Sequence, residues 1–274
     1  MLELHCHTTC SDGTLTPEAL VALARARGVK ALAITDHDTI AGWDRAIAAA
    51  ANDLEIVPGL ELSTVHRDRS LHILGFYPNR AQLEGPLQER IAGRHRRAEA
   101  MVAKLAALGY PINLSELPED TAPGRPHIAA ALVAAGYVKT PQAAFDQWLG
   151  ERGPAYVPYE PLSAPEGIQL LRRCGAVPVW AHPYLFRGGT VATVLPELVA
   201  AGLMGIEVYH PHHSPSDIRH LEAYCQAYGL LITGGSDYHG PTKEPSKGNV
   251  NLNGLQVSLD LLPPLKQAAA ALKR

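Results

Sequence analysis

The feature that most constrains the fold is a repeated alternation of short apolar segments with amphipathic segments of helical period. Segments typical of strands occupy residues 2–5, 31–35, 55–62, 177–181, 205–209 and 231–233, and helical patterns occupy residues 17–27, 40–51, 191–201 and 215–228. Strands that alternate with helices form parallel sheets or barrels, because each helix returns the chain to the start of the next strand. A chain of 274 residues suits one α/β barrel with an insertion.

The segment from 79 to 160 interrupts this alternation. Its pattern predicts helices at residues 83–108, 126–135 and 141–149, joined by loops that contain glycine and proline. We therefore predict a barrel built from residues 1–78 and 161–274, with residues 79–160 as a helical insertion that caps the site. Four arginines make part of the insertion basic, and a solvated helix face is the simpler explanation for them: Arg90, Arg94, Arg96 and Arg97.

The composition excludes several classes of function. The net charge of −3 gives no overall attraction to nucleic acids or membranes, so a nucleic-acid substrate would need a local basic patch. No apolar run reaches the roughly 18 residues of a membrane span. We expect no secretory signal, because residues 2–5 already have the pattern of a strand. Cys6, Cys10, Cys174 and Cys225 form no CxxC pair. We expect a cytoplasmic protein with reduced thiols, without a membrane or stable protein partner.

Histidines and carboxylates recur where the predicted strands end. The pairs His5/His7 and Asp237/His239 are each two residues apart, so both members of a pair face one side of an extended chain. Further candidates follow other strands or lie in the adjoining loop: Asp12, His37, His182 and His210. The carboxyl ends of parallel barrel strands meet at one rim, where active sites form. The pattern therefore predicts a single site mounted on that rim.

Glu61 and His72 are too close in sequence for a helical crossover between them. The segment Val65–Ser70 instead predicts a turn between antiparallel strands, which brings Glu61 and His72 together. A carboxylate in that position can bridge two metal ions.

We predict that Asp38 caps the following helix and leaves His37 free to face inward.

A site of mixed imidazole and carboxylate ligands suits Zn, Fe or Mn, whereas an all-oxygen site would suit Mg or Ca. Two or more such ions lower the pKa of a bound water and neutralise the charge of a phosphoryl group. The ligand types thus favour a hydrolase that contains a cluster of divalent ions.

Taken in order, these residues resemble the polymerase-and-histidinol-phosphatase (PHP) family of metal-dependent phosphoesterases. The matching segments are HCHTTCSDG (5–13), ITDHDT (34–39), PGLE (58–61), His72, AHP (181–183) and GGSDYHG (234–240). The resemblance implies an α/β fold, a distorted (β/α)7 TIM-like barrel, with a trinuclear metal centre. One metal would be held by His5, His7, Glu61 and Asp237, a second by Glu61, His72 and His182, and a third by Asp12, His37 and His239. We expect two to three divalent ions, Mn²⁺ ahead of Zn²⁺ or Fe²⁺.

Two further segments, GRPHIAAALVAAGYVKT (124–140) and EVYHPHHSP (207–215), resemble the stand-alone nucleoside 3′,5′-bisphosphate phosphatases, which also trim short RNA from its 5′ end. The resemblance implies removal of the 3′-phosphate, or hydrolysis of short oligonucleotides from the 5′ end, by a metal-activated hydroxide. His210 resembles the family's histidine near the leaving group, and we expect His182 and Asp237 to act with it.

Phosphate binding is expected from Arg125 and His127, because the N–H groups at a helix start point outward. A surface position is the alternative for Arg125, and His213 either contacts phosphate or lies on a loop. A nucleotide would also need a stacking surface, for which the candidates are Tyr184, Phe186, Tyr209 and Tyr238. We predict that four further histidines lie on the surface: His66, His95, His212 and His220. Cys6, between two proposed ligands, should face away from them and pack in the protein.

Three alternatives remain open. The first is a phosphatase of a small metabolite such as histidinol phosphate. The second is a metal-binding accessory module without catalysis, although such modules usually lose ligands that this chain retains. The third is an amidohydrolase, since related barrels use polynuclear sites for C–N cleavage; the basic insertion and Arg125 favour phosphate.

Overall fold

The computed structural model describes residues 1–114, 117, 121–158, 162–241 and 251–273. Within these residues, seven strands form one sheet in sequence order. They are β1 (Leu2–Glu3), β2 (Ala31–Ile34), β3 (Glu55–His66), β4 (Arg69–Phe76), β5 (Val177–Trp180), β6 (Gly205–Tyr209) and β7 (Leu231–Gly234). The pairs β3–β4 and β4–β5 are antiparallel and the other adjacent pairs are parallel. The predicted turn between Glu61 and His72 is therefore confirmed.

Hydrogen bonds between the segments that continue β1 and β7 join the two ends of the sheet. The Leu4 N–H donates to the Gly234 carbonyl at 3.2 Å, and the Tyr238 N–H donates to the His5 carbonyl at 3.2 Å. These bonds continue the parallel arrangement across the seam, where Cys6 also bridges Tyr238. The predicted distorted seven-stranded barrel is confirmed.

Helices cover the barrel and form the insertion. They are α1 (Pro17–Ala26), α2 (Trp43–Ala50), α3 (Arg80–Ala107), α4 (Arg125–Ala134), α5 (Pro141–Ala144), α6 (Ala164–Arg173), α7 (Val191–Ala200), α8 (Pro215–Tyr228) and α9 (Leu262–Leu272). Helix α1 begins as predicted, with the Thr16 side chain accepting the Ala19 N–H. The sequence interpretation omitted α6 and α9. A signal for α6 was present, since Ser163 and Glu166 form a capping box.

The strands bury two different faces. Residues on one face form an apolar cluster that includes Ala33, Val57, Leu74 and Val179, and helix α9 adds Leu265 to it. The opposite face packs on the surrounding helices in a second cluster. Side chains alternate along a strand, so Glu61, His72 and Glu207 share the face of the first cluster. The barrel interior is thus apolar over part of its length and polar at the rim.

The insertion has an apolar core of its own. Met101 and Leu105 of α3 pack with Ile128 and Leu132 of α4 and with Trp148. The first turns of α3 instead join the barrel core through Leu83 and Leu87. Helix α3 therefore belongs to both regions, and the domain division at residue 79 stays a prediction.

Several smaller predictions can also be compared with the fold. Cys6 is buried in the barrel core, which confirms its predicted packing role. The surface assignment of His66 is wrong, because β3 continues beyond its predicted end and His66 lies buried against Phe186. His95, His212 and His220 are exposed, as predicted. Among the described residues, no helix combines the length and apolarity needed to cross a membrane.

Candidate metal centre

Two histidines from the end of β1 face a pair of carboxylates. Nε2 of His5 and Nε2 of His7 lie 3.3 and 3.2 Å from the same Oδ1 of Asp237. The same two nitrogens lie 3.4 and 3.3 Å from Oε2 of Glu61. Their ligand atoms all lie within 4.8 Å of one another. The i, i+2 spacing therefore directs both imidazoles at one point, as the sequence predicted.

A second group forms around Asp12, in the loop after β1. Its Oδ1 lies 3.3 Å from Nε2 of His239 and 3.6 Å from Nδ1 of His7, and its Oδ2 lies 3.8 Å from Nε2 of His37. These four residues again place one ligand atom each within 4.8 Å of the others. His7 thus belongs to both groups. The sequence interpretation had assigned it to the first group alone.

Glu61 connects the groups. Its Oε1 lies 2.8 Å from Nδ1 of His72 and 3.0 Å from Nε2 of His182, and its Oε2 lies 3.1 Å from Nδ1 of His37. His37, Glu61 and His72 form the third group with ligand atoms within 4.8 Å. Among the described residues, His182 reaches Glu61 but joins no such group. The single carboxylate therefore touches imidazoles on every side, as a bridging ligand would.

The side-chain atoms that face these groups lack other partners. Within the described part of the chain, several buried nitrogen and oxygen atoms have no hydrogen-bond partner: His5 Nε2, His7 Nε2, His37 Nδ1, Asp12 Oδ1 and Asp237 Oδ1. A buried polar atom without a partner costs free energy. Clustered donor atoms of imidazole and carboxylate type, left free at one place, fit divalent metal ions.

The charges at the rim favour bound cations. Burial raises the pKa values of Asp12, Glu61 and Asp237, but the adjacent imidazoles outweigh it and hold all three well below their usual range. Burial lowers the pKa of His37 to about 3. It also opposes the charged form of His7, yet the carboxylates beside His7 raise its pKa to about 10. The carboxylates therefore stay anionic and stabilise positive charge, which divalent ions would supply.

Two buried carboxylates that the sequence interpretation missed support this arrangement. Asp36 accepts hydrogen bonds from the Thr8 N–H at 2.7 Å and from the Ser11 hydroxyl at 2.6 Å, which fixes the loop that carries Asp12. Glu207 lies 2.9 Å from Nδ1 of His5 through one oxygen. A signal was available for both, because each is an acidic residue in or directly after an otherwise apolar strand.

The predicted capping role of Asp38 is wrong. Its Oδ1 accepts the Ser63 N–H at 2.9 Å, and its Oδ2 lies 2.7 Å from Nε of Arg94 on α3. Burial raises the pKa of Asp38, but Arg94 and Arg90 outweigh it, so the pKa is lowered. Asp38 therefore joins the rim to the insertion, directly after His37.

The interpretation of the basic helix face is also wrong in part. Arg94 and Arg97 are buried, and Nε of Arg97 donates to the Val157 carbonyl at 2.7 Å. Arg90 is also largely covered and donates to the Ser63 carbonyl. Only Arg96 matches the predicted solvated face, where it pairs with Glu89.

The predicted proton-transfer residues surround the same rim. Nε2 of His210 is buried, has no hydrogen-bond partner among the described residues and lies 3.7 Å from Oδ2 of Asp237. The rings of His210 and His182 are 5.6 Å apart. His213 is buried rather than on an open loop, and its Nδ1 lies 2.8 Å from the Val208 carbonyl. The structure therefore places His210, His182 and Asp237 together, and the His213 ring lies 5.2 Å from the His210 ring.

A cavity of about 190 Å³ adjoins the rim beside His72 and His182. Arg69, Arg125 and Arg187 line it together with Glu151, which pairs with Arg69. Arg125 opens α4, and its guanidinium lies 5.6 Å from the ring centres of Phe145 and Tyr156. Arg125 therefore lines the cavity while its guanidinium packs against aromatic rings of the insertion.

His127 does not line this cavity; its Nδ1 accepts the Gly124 N–H at 3.0 Å. Of the proposed stacking residues, Phe186 lines the cavity. Tyr238 is buried in the core, and the Tyr209 hydroxyl donates to Glu222. Tyr184 contacts His213 edge to face. Phe186 is thus the member of that set placed beside the arginines.

Comparison with known proteins agrees with this geometry. Residues 3–112 match the PHP domain. A 5′-3′ exoribonuclease from Haemophilus influenzae is 35% identical over 87% of this chain and 90% of its own length. A 3′,5′-nucleoside bisphosphate phosphatase from Chromobacterium violaceum is 33% identical over 88% of this chain and 87% of its own length. A metal-dependent phosphoesterase from Bifidobacterium adolescentis superposes with a TM-score of 0.86 at 34% identity, covering 97% of this chain and 96% of that one.

Proposed function

The chain belongs to the PHP family, and from that premise we propose that it is a metal-dependent phosphoesterase acting on nucleoside 3′,5′-bisphosphates and on short oligonucleotides from the 5′ end. Two relatives of similar length are named for these two activities. The observation that carries the proposal is the convergence of unpartnered imidazole and carboxylate atoms beside a cavity lined by arginines.

The rim residues would hold two to three divalent ions. His5, His7, Glu61 and Asp237 would hold one, and Asp12, His37 and His239 another, with His7 beside both. Glu61 and His72 would hold the third with help from His37 or His182. The mixed donor set favours Mn²⁺, Zn²⁺ or Fe²⁺, and we place Mn²⁺ first. When bound, such ions supply a nucleophile at neutral pH and neutralise phosphoryl charge.

The arginines would hold the substrate. Arg125 presents a planar set of donors suited to phosphate oxygens, and Arg187 lines the same cavity, where Arg69 is already paired with Glu151. A cavity of about 190 Å³ is smaller than a typical whole-ligand pocket of about 300 Å³ or more. It would therefore accommodate a phosphate, while the sugar and base extend from its mouth.

His210 is the candidate proton donor. Its Nε2 faces the rim without a hydrogen-bond partner among the described residues, so it can give a proton to a leaving oxygen. The Oδ2 atom of Asp237 lies 3.7 Å from the same nitrogen. His182 stands beside it and contacts Glu61.

A panel of substrates tests this proposal. Purified protein with added Mn²⁺ should release phosphate from adenosine 3′,5′-bisphosphate and mononucleotides from a 5′-phosphorylated RNA tetramer. His37→Ala and Asp237→Ala should abolish both reactions. Release of phosphate from histidinol phosphate alone would assign the enzyme to small metabolites. Unchanged turnover in both variants would overturn the catalytic assignment.

A further inference from the structure

Glu207 is a fully buried carboxylate in the middle of β6, and each of its oxygens meets one candidate metal-ligand histidine. Oε1 lies 2.9 Å from Nδ1 of His5. Oε2 accepts the backbone N–H of His182 at 2.8 Å. His5 and His182 are 177 residues apart in sequence, yet their rings stack at 5.7 Å with an interplanar angle of 16°. One carboxylate therefore joins two histidines that approach Glu61 from the ends of β1 and β5, strands that are not adjacent in the sheet.

The contact with His5 determines which ring nitrogen faces the rim. A neutral imidazole has one N–H and one free lone pair. Since a carboxylate accepts hydrogen bonds, Nδ1 of His5 carries the proton that points at Glu207, and the lone pair remains on Nε2. Nε2 is the atom that lies 3.3 to 3.4 Å from Asp237 and Glu61. Hydrogen bonds of this kind orient ligand histidines and increase their basicity.

The contact with His182 stabilises an unusual backbone. His182 has φ 32° and ψ 60°, in the left-handed region that residues with a side chain rarely adopt. This conformation turns the chain sharply after β5 and directs Nε2 of His182 toward Oε1 of Glu61, 3.0 Å away. The Glu207 carboxylate accepts the hydrogen bond of the N–H group at this turn and so helps to hold the turn in place.

We propose that Glu207 is a positioning residue that couples two metal ligands: it presents Nε2 of His5 to the metal centre and holds the backbone from which His182 reaches Glu61. The inference rests on the metal centre proposed above. It extends that proposal to a residue that contacts neither the substrate nor the nitrogen atoms that would bind metal. Both of its oxygens are required, one for the His5 ring and one for the backbone N–H of His182.

Glu207→Gln tests this requirement with almost no change in shape. An amide has one acceptor oxygen and one donor nitrogen. If the amide NH₂ faces His5, Nδ1 must accept and the ring proton moves to Nε2, where it points at the metal centre. If the NH₂ faces His182, two N–H donors meet. Either orientation disturbs one of the two histidines.

The measurement is the affinity of the metal-free protein for Zn²⁺, obtained by competition with a chelator, together with the melting temperature without metal. We expect Glu207→Gln to weaken binding of at least one Zn²⁺ by about 10- to 100-fold. The matched control is Glu222→Gln, which alters a partly buried carboxylate that accepts the Tyr209 hydroxyl, and it should leave Zn²⁺ affinity unchanged. A purely structural role would lower the melting temperature and leave Zn²⁺ affinity of the folded protein unchanged, which would overturn the inference.

A second measurement uses the wild-type protein and does not depend on the variant folding. Nitrogen NMR of the Zn²⁺-loaded protein, labelled at its histidines, should show His5 protonated at Nδ1 and metal-bound at Nε2. The opposite assignment would overturn the inference, as would equal Zn²⁺ affinity in Glu207→Gln and wild type; neither result would affect the proposed function. Wild-type protein that bound no divalent ion would overturn both.

Discussion

The barrel rim and the helical insertion handle charge in opposite ways. The rim brings anionic carboxylates and imidazoles together at strand ends and leaves their ligand atoms without hydrogen-bond partners. The insertion sends arginines inward, where Arg94 is already paired with Asp38. The rim is therefore arranged to receive cations from solution, whereas part of the insertion's positive charge forms ion pairs that attach the insertion to the barrel. Basic residues near a site are thus not all available to a substrate.

The largest effect should come from breaking the rim at Glu61. Its two oxygens contact imidazoles of all three candidate metal groups, including His5, His37 and His72. Glu61→Gln removes the charge and one acceptor, and loss of several kcal/mol of transition-state stabilisation corresponds to a fall in kcat of about 10³-fold. Glu55→Gln, on the same strand but paired with Lys266, is the control. Comparable kcat values for the two variants, measured by phosphate release, would contradict a bridging role.

Breaking the attachment should mainly affect stability. Arg94→Met leaves the Asp38 carboxylate buried without its closest partner, and removal of one member of a buried ion pair costs about 3–5 kcal/mol. Arg96→Met, two residues along the same helix, alters an exposed pair with Glu89 worth no more than about 1 kcal/mol. Urea unfolding of the two variants measures the difference. Equal free energies of unfolding would contradict a stabilising role for the pair of Arg94 and Asp38.

The contrast between the regions also decided what the sequence could reveal. At the rim, the strand–helix alternation and the i, i+2 spacing placed His5, His7, Asp237 and His239 together, and the short connection placed Glu61 beside His72. These inferences hold because the geometry of a strand is regular. The partner of Arg94 lies 56 residues away on another element. No local pattern distinguishes a buried arginine from a solvated one, since the distinction depends on how α3 packs against the barrel.

Glu207 and Asp38 show the same limit within the barrel. An acidic residue within or shortly after a strand predicts a ligand, a cap or a positioning group equally well, because all three functions use the same carboxylate. The choice depends on which donors surround it: the His5 ring and His182 N–H for Glu207, and Arg94 and the Ser63 N–H for Asp38. The resemblance to the PHP family supplied a ligand set but assigned neither of these residues.

Metal addition should stabilise the rim and leave the free energy of local unfolding within the insertion unchanged. Every proposed metal ligand lies in the barrel, so the ions should stabilise it by about 2.7 kcal/mol at 100 times the dissociation constant. Hydrogen exchange with and without Mn²⁺ should show slower exchange in residues 234–239, and similar rates of local opening in α4. Protection that increased equally in α4 would indicate that the insertion also binds the ions, and a chelator added afterwards should reverse the effect at the rim.

The smallest expected effect comes from the arginine of the insertion that lines the cavity beside the rim. Arg125→Ala should remove a charged hydrogen bond worth about 1.5–3 kcal/mol, which corresponds to a rise in KM of about 10- to 150-fold. The change should appear in KM rather than kcat, because Arg125 would bind phosphate equally in the ground and transition states. Arg125→Lys should restore little, since an ammonium group lacks the planar donors that lie against Phe145 and Tyr156. Exposed Arg152→Ala is the control. A fall in metal affinity for Arg125→Ala would mean that the insertion also shapes the metal centre. The assignment of metal binding to the rim alone and of phosphate binding to Arg125 would then be wrong.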